Sequence, residues 1–284
     1  LSNMSTPSHD TVPANLLADW WSTGIIDIKP GSIHTRGYAI EDLIGTISFP
    51  SMIWLMTRGE LPTPSQSKLL EAALVSGVDH GPHAPSIAIA RMASTCGIGI
   101  NGAMASAINV LGDVHGGAGQ ACLELYQRID ARIKTGQCLN DAARAEIQVL
   151  LDAKSFIPGF GHRFHPIDPR SGRLLELIDI ASEQGHVQGH YANIGRAVES
   201  TLSALKGKAL PMNIDGATAA VYGELGFEPP LARGLFILSR SVGILSHAWE
   251  QMNMNGRIKG PMPPSVPYRY VGPNPRAVSG DQDA

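Results

Sequence analysis

Three short segments set an ionisable side chain among glycines and prolines. GDVHGGAGQ carries His115, PGFGHRFHPIDPR carries His162, and PMNIDGATA carries Asp215. Loops of this kind let side chains approach a ligand, and function concentrates in them. Two imidazoles and a carboxylate suffice for acid–base chemistry at carbon. Enolising a thioester requires a base for the α-proton, a donor for the developing enolate oxygen and a donor for the electrophilic carbonyl. Asp, His and His fill those roles. An anionic oxo acid also calls for cationic clamps, and Arg170 and Arg240 are the candidates. Arg240 lies within the apolar run FILSRSVGIL, where a charge is costly without a partner.

Each of these residues also has a purely structural reading. A histidine in a glycine turn is more often a surface or hydrogen-bonded group, and this applies to His115 and His162 alike. Asp215 in NIDG fits a turn or helix cap. Arg240 fits an internal salt bridge with a carboxylate such as Glu250, and DPR fits a turn and helix start. Taken one at a time, the residues leave both readings open.

The elements that must hold these side chains are mainly helices. Apolar residues recur at helical spacing, and period-2 alternation of β-branched residues is scarce, so the fold class reads as all-α. Thr63 serves as an N-cap with Pro64 at the first helical position, followed by a stripe of Leu69, Leu70, Ala73 and Leu74 and a stop at Gly77. Between Ser86 and Leu111 the chain is apolar on nearly every side and rich in Ala, Gly and Ser, which predicts two buried helices broken near Gly97 to Gly102. Amphipathic helices are expected at Ala121 to Ile133, at Asp141 to Leu151 after Asn140, and at Arg173 to Ala181 after Ser171. Pro229 and Pro230 open a long apolar helix suited to a core or a subunit interface. The tail from Tyr268 has the composition of a segment lying over a surface or fraying.

With 284 residues, 43% of them hydrophobic, the chain can bury one core or two modest ones. A net charge of −3 without a Lys/Arg cluster argues against nucleic acid as a partner. Cys96, Cys122 and Cys138 lack CxxC spacing, so neither a disulfide framework nor a zinc knuckle is expected. His80 and His83 on one turn lack the further ligands a metal needs. No apolar run approaches the roughly 20 residues of a membrane span, and the first residues lack a signal-peptide core. The expectation is a cytoplasmic protein with no membrane partner.

Considered together, the segments VDHGPHAPSIAIARMAST, GDVHGGAGQ, PGFGHRFHPIDPR, NIDG and FILSRSVGILSHAWEQ, with RGELPT before them, resemble the citrate synthase superfamily in wording and order. The resemblance runs over roughly Gly31 to Gly272. The compact length, DHGP and NIDG look more like citryl-CoA lyase and the lyase module of ATP-citrate lyase, whereas GDVHGG looks more like the synthases. The resemblance implies that His115 hydrogen-bonds the thioester carbonyl, that Asp215 moves the α-proton and that His162 serves the oxo-acid carbonyl or product hydroxyl. It implies that His80, Arg170 and Arg240 hold the oxo acid. Near the carboxyl end the family supplies an arginine to the partner's site, and here Lys259 or Arg257 stands in its place. Arg163 is the candidate contact to a CoA phosphate.

The implied fold has a large helical domain from residues 1–117 and 224–284 and a small helical domain, 118–223, inserted between them. His115 and Asp215 then lie near its two hinges, and closure of the cleft excludes water. A homodimer or higher homo-oligomer is implied, with a CoA thioester and a 2-oxo acid or hydroxy acid as substrates and no tightly bound cofactor. The implied reaction is cleavage of citryl-CoA, or a related 3-hydroxyacyl-CoA, to acetyl-CoA and oxaloacetate. The rivals are a citrate, 2-methylcitrate or alkylcitrate synthase and a non-catalytic homologue that binds CoA ligands.

Overall fold

A computed structural model of the chain describes residues 20–161 and 166–277. It opens with strands β1 (Ile26–Lys29), β2 (Ser32–Thr35) and β3 (Tyr38–Ala39). Helices α1 (Ile40–Leu43), α2 (Phe49–Arg58), α3 (Pro64–Ser76), α4 (Pro85–Ser94) and α5 (Ile100–Ile108) follow. Then come α6 (Ala118–Lys134), α7 (Leu139–Asp152), α8 (Pro169–Glu183), α9 (His190–Lys206), α10 (Ile214–Glu224) and α11 (Pro229–Met252). The fold is mostly helical, as its sequence pattern predicts. The exception is a three-stranded antiparallel sheet in the order β1-β2-β3, with Ile26 opposite Thr35 and Lys29 opposite Ser32. The sequence reading did not anticipate it. Gly31, at φ 77°, makes the tight turn that a side chain would strain.

The chain forms two compact units, one from the residues through Ser76 together with Ala118–Arg233, the other from Gly77–Gly117 together with Gly234 onward. One boundary between the units falls at Gly117 and Ala118. Residues 20–76, however, group with 118–233 by contact, because α3 packs on α8 and α10.

In the first unit α10 is the central helix. It packs on α6, α8 and α9, and Gly216, Ala217, Ala219, Ala220, Val221, Tyr222 and Gly223 are all buried. Small residues allow that density of packing: a Cβ on Gly223 would fall 2.6 Å from the Tyr191 ring. Thr63 caps α3 as expected. Its Oγ1 accepts the Gln66 N–H at 3.3 Å, and Gln66 Oε1 accepts the Thr63 N–H at 2.8 Å, a reciprocal capping box. Three expected starts shift, the first from Ala121 to Ala118. Asp168, rather than Ser171, caps the helix that begins at Pro169, and α7 begins at Leu139, so Asn140 lies inside it.

In the second unit Ile87, Ala90, Ala103, Ala107 and Leu111 enclose a core with Ile244 and Ala248 of α11. The two expected helices break at residues 95–99, which leaves Gly102 inside α5. Leu238, Val242, Leu245 and Trp249 form an exposed stripe along α11 at helical spacing. Residues 268–277 carry no regular element. Among the described residues no helix is long and apolar enough to cross a membrane.

Candidate active site

In the first unit Asp215 occupies the first turn of α10. It does not cap the helix. Asn213 does, its side-chain oxygen accepting the N–H groups of Asp215 (2.9 Å) and Gly216 (3.3 Å). The half-buried Asp215 carboxylate is therefore not the cap of its own helix. A Cβ on Gly119 would come 3.8 Å from its Oδ1, and its charge is felt by the buried Cys122 thiol, which burial already pushes far up.

The loop leading to His162 is fastened to the same helix start. Gly159 O accepts the Asn213 N–H at 3.0 Å, Gly161 O accepts the Asn213 amide at 2.7 Å, and Gly161 N–H donates to Pro211 O at 2.8 Å. The fit is backbone against backbone: a Cβ on Gly216 would fall 2.5 Å from Gly159 O. His162 and Arg163 themselves lie outside the described residues.

Arg170, expected to clamp a substrate, is gripped by Asp168. Its Nε donates to Oδ1 at 2.9 Å and its Nη2 to Oδ2 at 2.8 Å, while Nη1 lies 3.4 Å from Ser76 O. Asp168 is only 2% exposed. Burial alone would raise its pKa, but hydrogen bonds from the Arg170 guanidinium and backbone, and from Ile214 N–H, hold it at about 2. The Ile214 bond, 3.1 Å to Oδ2, joins the Arg170 pair to the helix that bears Asp215. Sequence reasoning missed Asp168. The signal was present in DPR, where an Asp two residues before an Arg can cap a helix and pair with its side chain at once.

In the second unit His115 follows α5 and turns back onto the start of α4. The N-cap of α4 is Ala84, which has no side-chain acceptor, and Pro85 holds the first helical position. His115 supplies the acceptor instead. Its Nε2 takes the Ser86 N–H at 3.1 Å and lies 3.0 Å from the Ser86 hydroxyl. An Nε2 that accepts from an amide carries no proton, so the neutral ring bears its proton on Nδ1. Burial and then the positive charge of Arg240 lower the His115 pKa, and the helix start adds a further preference for the uncharged ring. Ser86 is a second site residue that local sequence did not reveal.

Arg240 is 6% exposed. Its Nε donates to Gly77 O at 3.0 Å, and its guanidinium lies 5.0 Å from the Phe236 ring centroid. Glu250, named above as an example of a carboxylate for the structural reading of Arg240, pairs with Arg91, because Arg91 on α4 faces the 247–251 turn of α11. His80 is exposed on the turn ending at Gly81. Lys259 is tethered within its own unit, its backbone N–H donating to Thr95 Oγ1 at 2.9 Å. It lines an open cleft of about 640 Å³ with His83, Arg91, His247 and Glu250. Among the described residues no three His, Cys, Asp or Glu side chains gather as a metal site.

Comparison with known proteins identifies the family. A family model described as "Citrate synthase, C-terminal domain" matches residues 62–262. The citrate synthase of Deinococcus radiodurans is 33% identical over 192 residues, 66% of this chain and 48% of that protein. The citrate/2-methylcitrate synthase of Bacillus subtilis is 29% identical over 231 residues, 80% of this chain and 57% of that protein. The chain thus spans about half the length of the curated relatives it matches. Among solved structures, citryl-CoA lyase from Hydrogenobacter thermophilus is 33% identical with a TM-score of 0.80, covering 91% of this chain and 97% of that one. ATP citrate lyase from Methanothrix soehngenii, at 20% identity and a TM-score of 0.74, covers 96% of this chain and 47% of that one and shares the fold.

Proposed function

Because the chain belongs to the citrate synthase family, we propose that it cleaves citryl-CoA, or a related 3-hydroxyacyl-CoA, to acetyl-CoA and oxaloacetate. The observation that carries this reading is the nearly coextensive likeness to a citryl-CoA lyase, which covers 97% of that protein. Its TM-score of 0.80 and 33% identity also exceed the 0.60 and 18% of a citrate synthase from Thermotoga maritima that is covered to 96%.

In the cleavage direction His162 accepts the tertiary hydroxyl proton as the carbon–carbon bond breaks. The bond electrons pass to the acetyl-CoA fragment as an enolate, whose oxygen is met by the Nδ1–H of His115. A neutral donor suits that oxygen, and the Ser86 contact keeps the ring in the required tautomer. Asp215 then returns a proton to carbon. Condensation is the same path reversed, with Asp215 as the base. His80, Arg170 and Arg240 hold the oxo acid, with Arg170 aimed by Asp168; Lys259 contributes to its recognition and Arg163 to that of CoA. The CoA thioester is a substrate, and no tightly bound cofactor enters the scheme. The domain organisation in this reading is the family division, 1–117 with 224–284 against 118–223, which assigns residues 20–76 differently from the grouping by contact. The exposed apolar stripe of α11 is the natural face for a homodimer. The cytoplasm is the proposed compartment.

A synthase is the second reading, favoured by the 33% identity to a citrate synthase. The two are separated by mass-spectrometric analysis of purified protein given citryl-CoA in one reaction and acetyl-CoA with oxaloacetate in another. Acetyl-CoA and oxaloacetate formed from citryl-CoA support the lyase. Free citrate released from the second mixture establishes a synthase, and no turnover of either overturns both.

A further inference from the structure

The segment carrying His80 is fastened along one face of α11. Ser239, Gly243 and His247 recur at every fourth position and so share that face. They meet residues 77, 78 and 79 in order. A Cβ on Gly77 would fall 2.9 Å from Ser239 Oγ, and one on Gly243 would fall 2.1 Å from the Val78 carbonyl oxygen. These two contacts demand that side chains be absent. The third demands a particular side chain: His247 Nε2 lies 3.2 Å from Asp79 Oδ2.

The other ring nitrogen of His247, Nδ1, lies 3.0 Å from Nη1 of Arg91. A guanidinium only donates, so Nδ1 accepts, and the proton of the neutral ring sits on Nε2, where it donates to Asp79. Arg91 is itself fixed, donating through Nε to Gln251 (3.1 Å), through Nη1 to the Glu250 carboxylate and through Nη2 toward Met254 sulfur (3.4 Å). Asp79 anchors the turn. Burial would raise its pKa, but His247 and the backbone N–H groups of Gly81 and His80 turned toward it hold it below the usual carboxylate value. Gly81 completes the turn at φ 80°.

We propose that His247 is a positioning residue whose Nε2–H, set by Arg91 on the opposite nitrogen, fixes the Asp79–Gly81 turn and thereby aims His80 at the oxo acid. This rests on the assignment of His80 to oxo-acid binding. His247 touches no substrate in this scheme. It converts a rigid helix face into the orientation of a loop histidine, as supporting residues of a preorganised site do.

The test uses the full-length protein and two readouts. Long-range ¹H–¹⁵N correlation spectra of the ¹⁵N-histidine-labelled chain, with His247 identified by its loss in a variant, are expected to show the Nε2–H tautomer. The Nδ1–H tautomer overturns the relay. Calorimetry then measures oxaloacetate affinity in three variants of matched thermal stability. His247→Gln, whose amide N–H reaches Asp79, is expected to bind within about threefold of wild type, whereas the shorter His247→Asn loses about tenfold. Equal affinity in both overturns the proposal. His80→Gln separates the two claims: an unchanged affinity there removes His80 from the oxo-acid site and the proposal with it, while the tautomer still reports whether the Arg91–His247–Asp79 relay exists.

Discussion

The starts of α4 and α10 solve one problem in opposite ways. Each helix leaves N–H groups without partners in its first turn, and each has a proposed reacting side chain beside that turn. At α10 the chain caps itself through Asn213, so the cap is not Asp215. At α4 the N-cap is Ala84, and the orphan N–H of Ser86 is taken by His115, 29 residues further on. There the structural duty is the useful part: occupying one ring nitrogen decides which proton the other presents. A carboxylate with two equivalent oxygens need not be the cap of its own helix, whereas an imidazole with two distinct nitrogens gains from being held.

This contrast can be broken by substitution. Asp215→Asn is expected to lower turnover by about a thousandfold while leaving the urea midpoint unchanged, since the cap is elsewhere. A parallel loss of stability would show that Asp215 does carry structural load. His115→Ala is expected to lower turnover by about a hundredfold and also to cost about 1 kcal/mol of stability, because the Ser86 N–H loses its acceptor. With burial and Arg240 depressing its pKa, His115 stays neutral as pH falls through 6.5, its ordinary value. An NMR titration of His115 checks this, and Arg240→Gln should move the midpoint upward.

A smaller effect is expected at Asp168. Its folded pKa of about 2 lies below the ordinary 3.8, so its contribution is present above that ordinary value and fades as pH falls through 3.8 toward 2. The contribution is on the order of 2 kcal/mol. Urea midpoints followed down this range should lose that component of the acid slope in Asp168→Asn. Smallest is Asn213→Ala, expected to cost about 1 kcal/mol in the same assay with turnover changed only a few-fold. A much larger loss of turnover would mean that the Asn213 amide on Gly161 O, rather than the cap, is its main role.

What could be read from the sequence follows the range of the interactions. Thr63, Pro64 and Gly77 mark α3 because caps and stops are local, and Pro229 opens α11 for the same reason. Helix α9 went unread. Its start is Gly189 in a left-handed conformation, and its first N–H groups are satisfied by Glu224, far along the chain. Helix α10 is buried on nearly every side, so it shows no amphipathic stripe to detect. The site divides the same way. His115 and Asp215 stand out by their glycine-rich settings, while Ser86, Asp168 and His247 act through bonds that cross 29, 46 and 168 positions. No short window of sequence contains both partners of those bonds; only the pairing of Asp168 with Arg170 is local.

The junction of Gly159 with Gly216 has a consequence for anyone who would redesign this protein. Because one main chain lies against the other, neither position offers a side chain to vary, and a bulky neighbour at one cannot be matched by trimming the other. Retuning the reach of the loop beyond Gly161 therefore has to begin downstream of the junction or in the partners of Asn213, with 159 and 216 kept as fixed points of the scaffold.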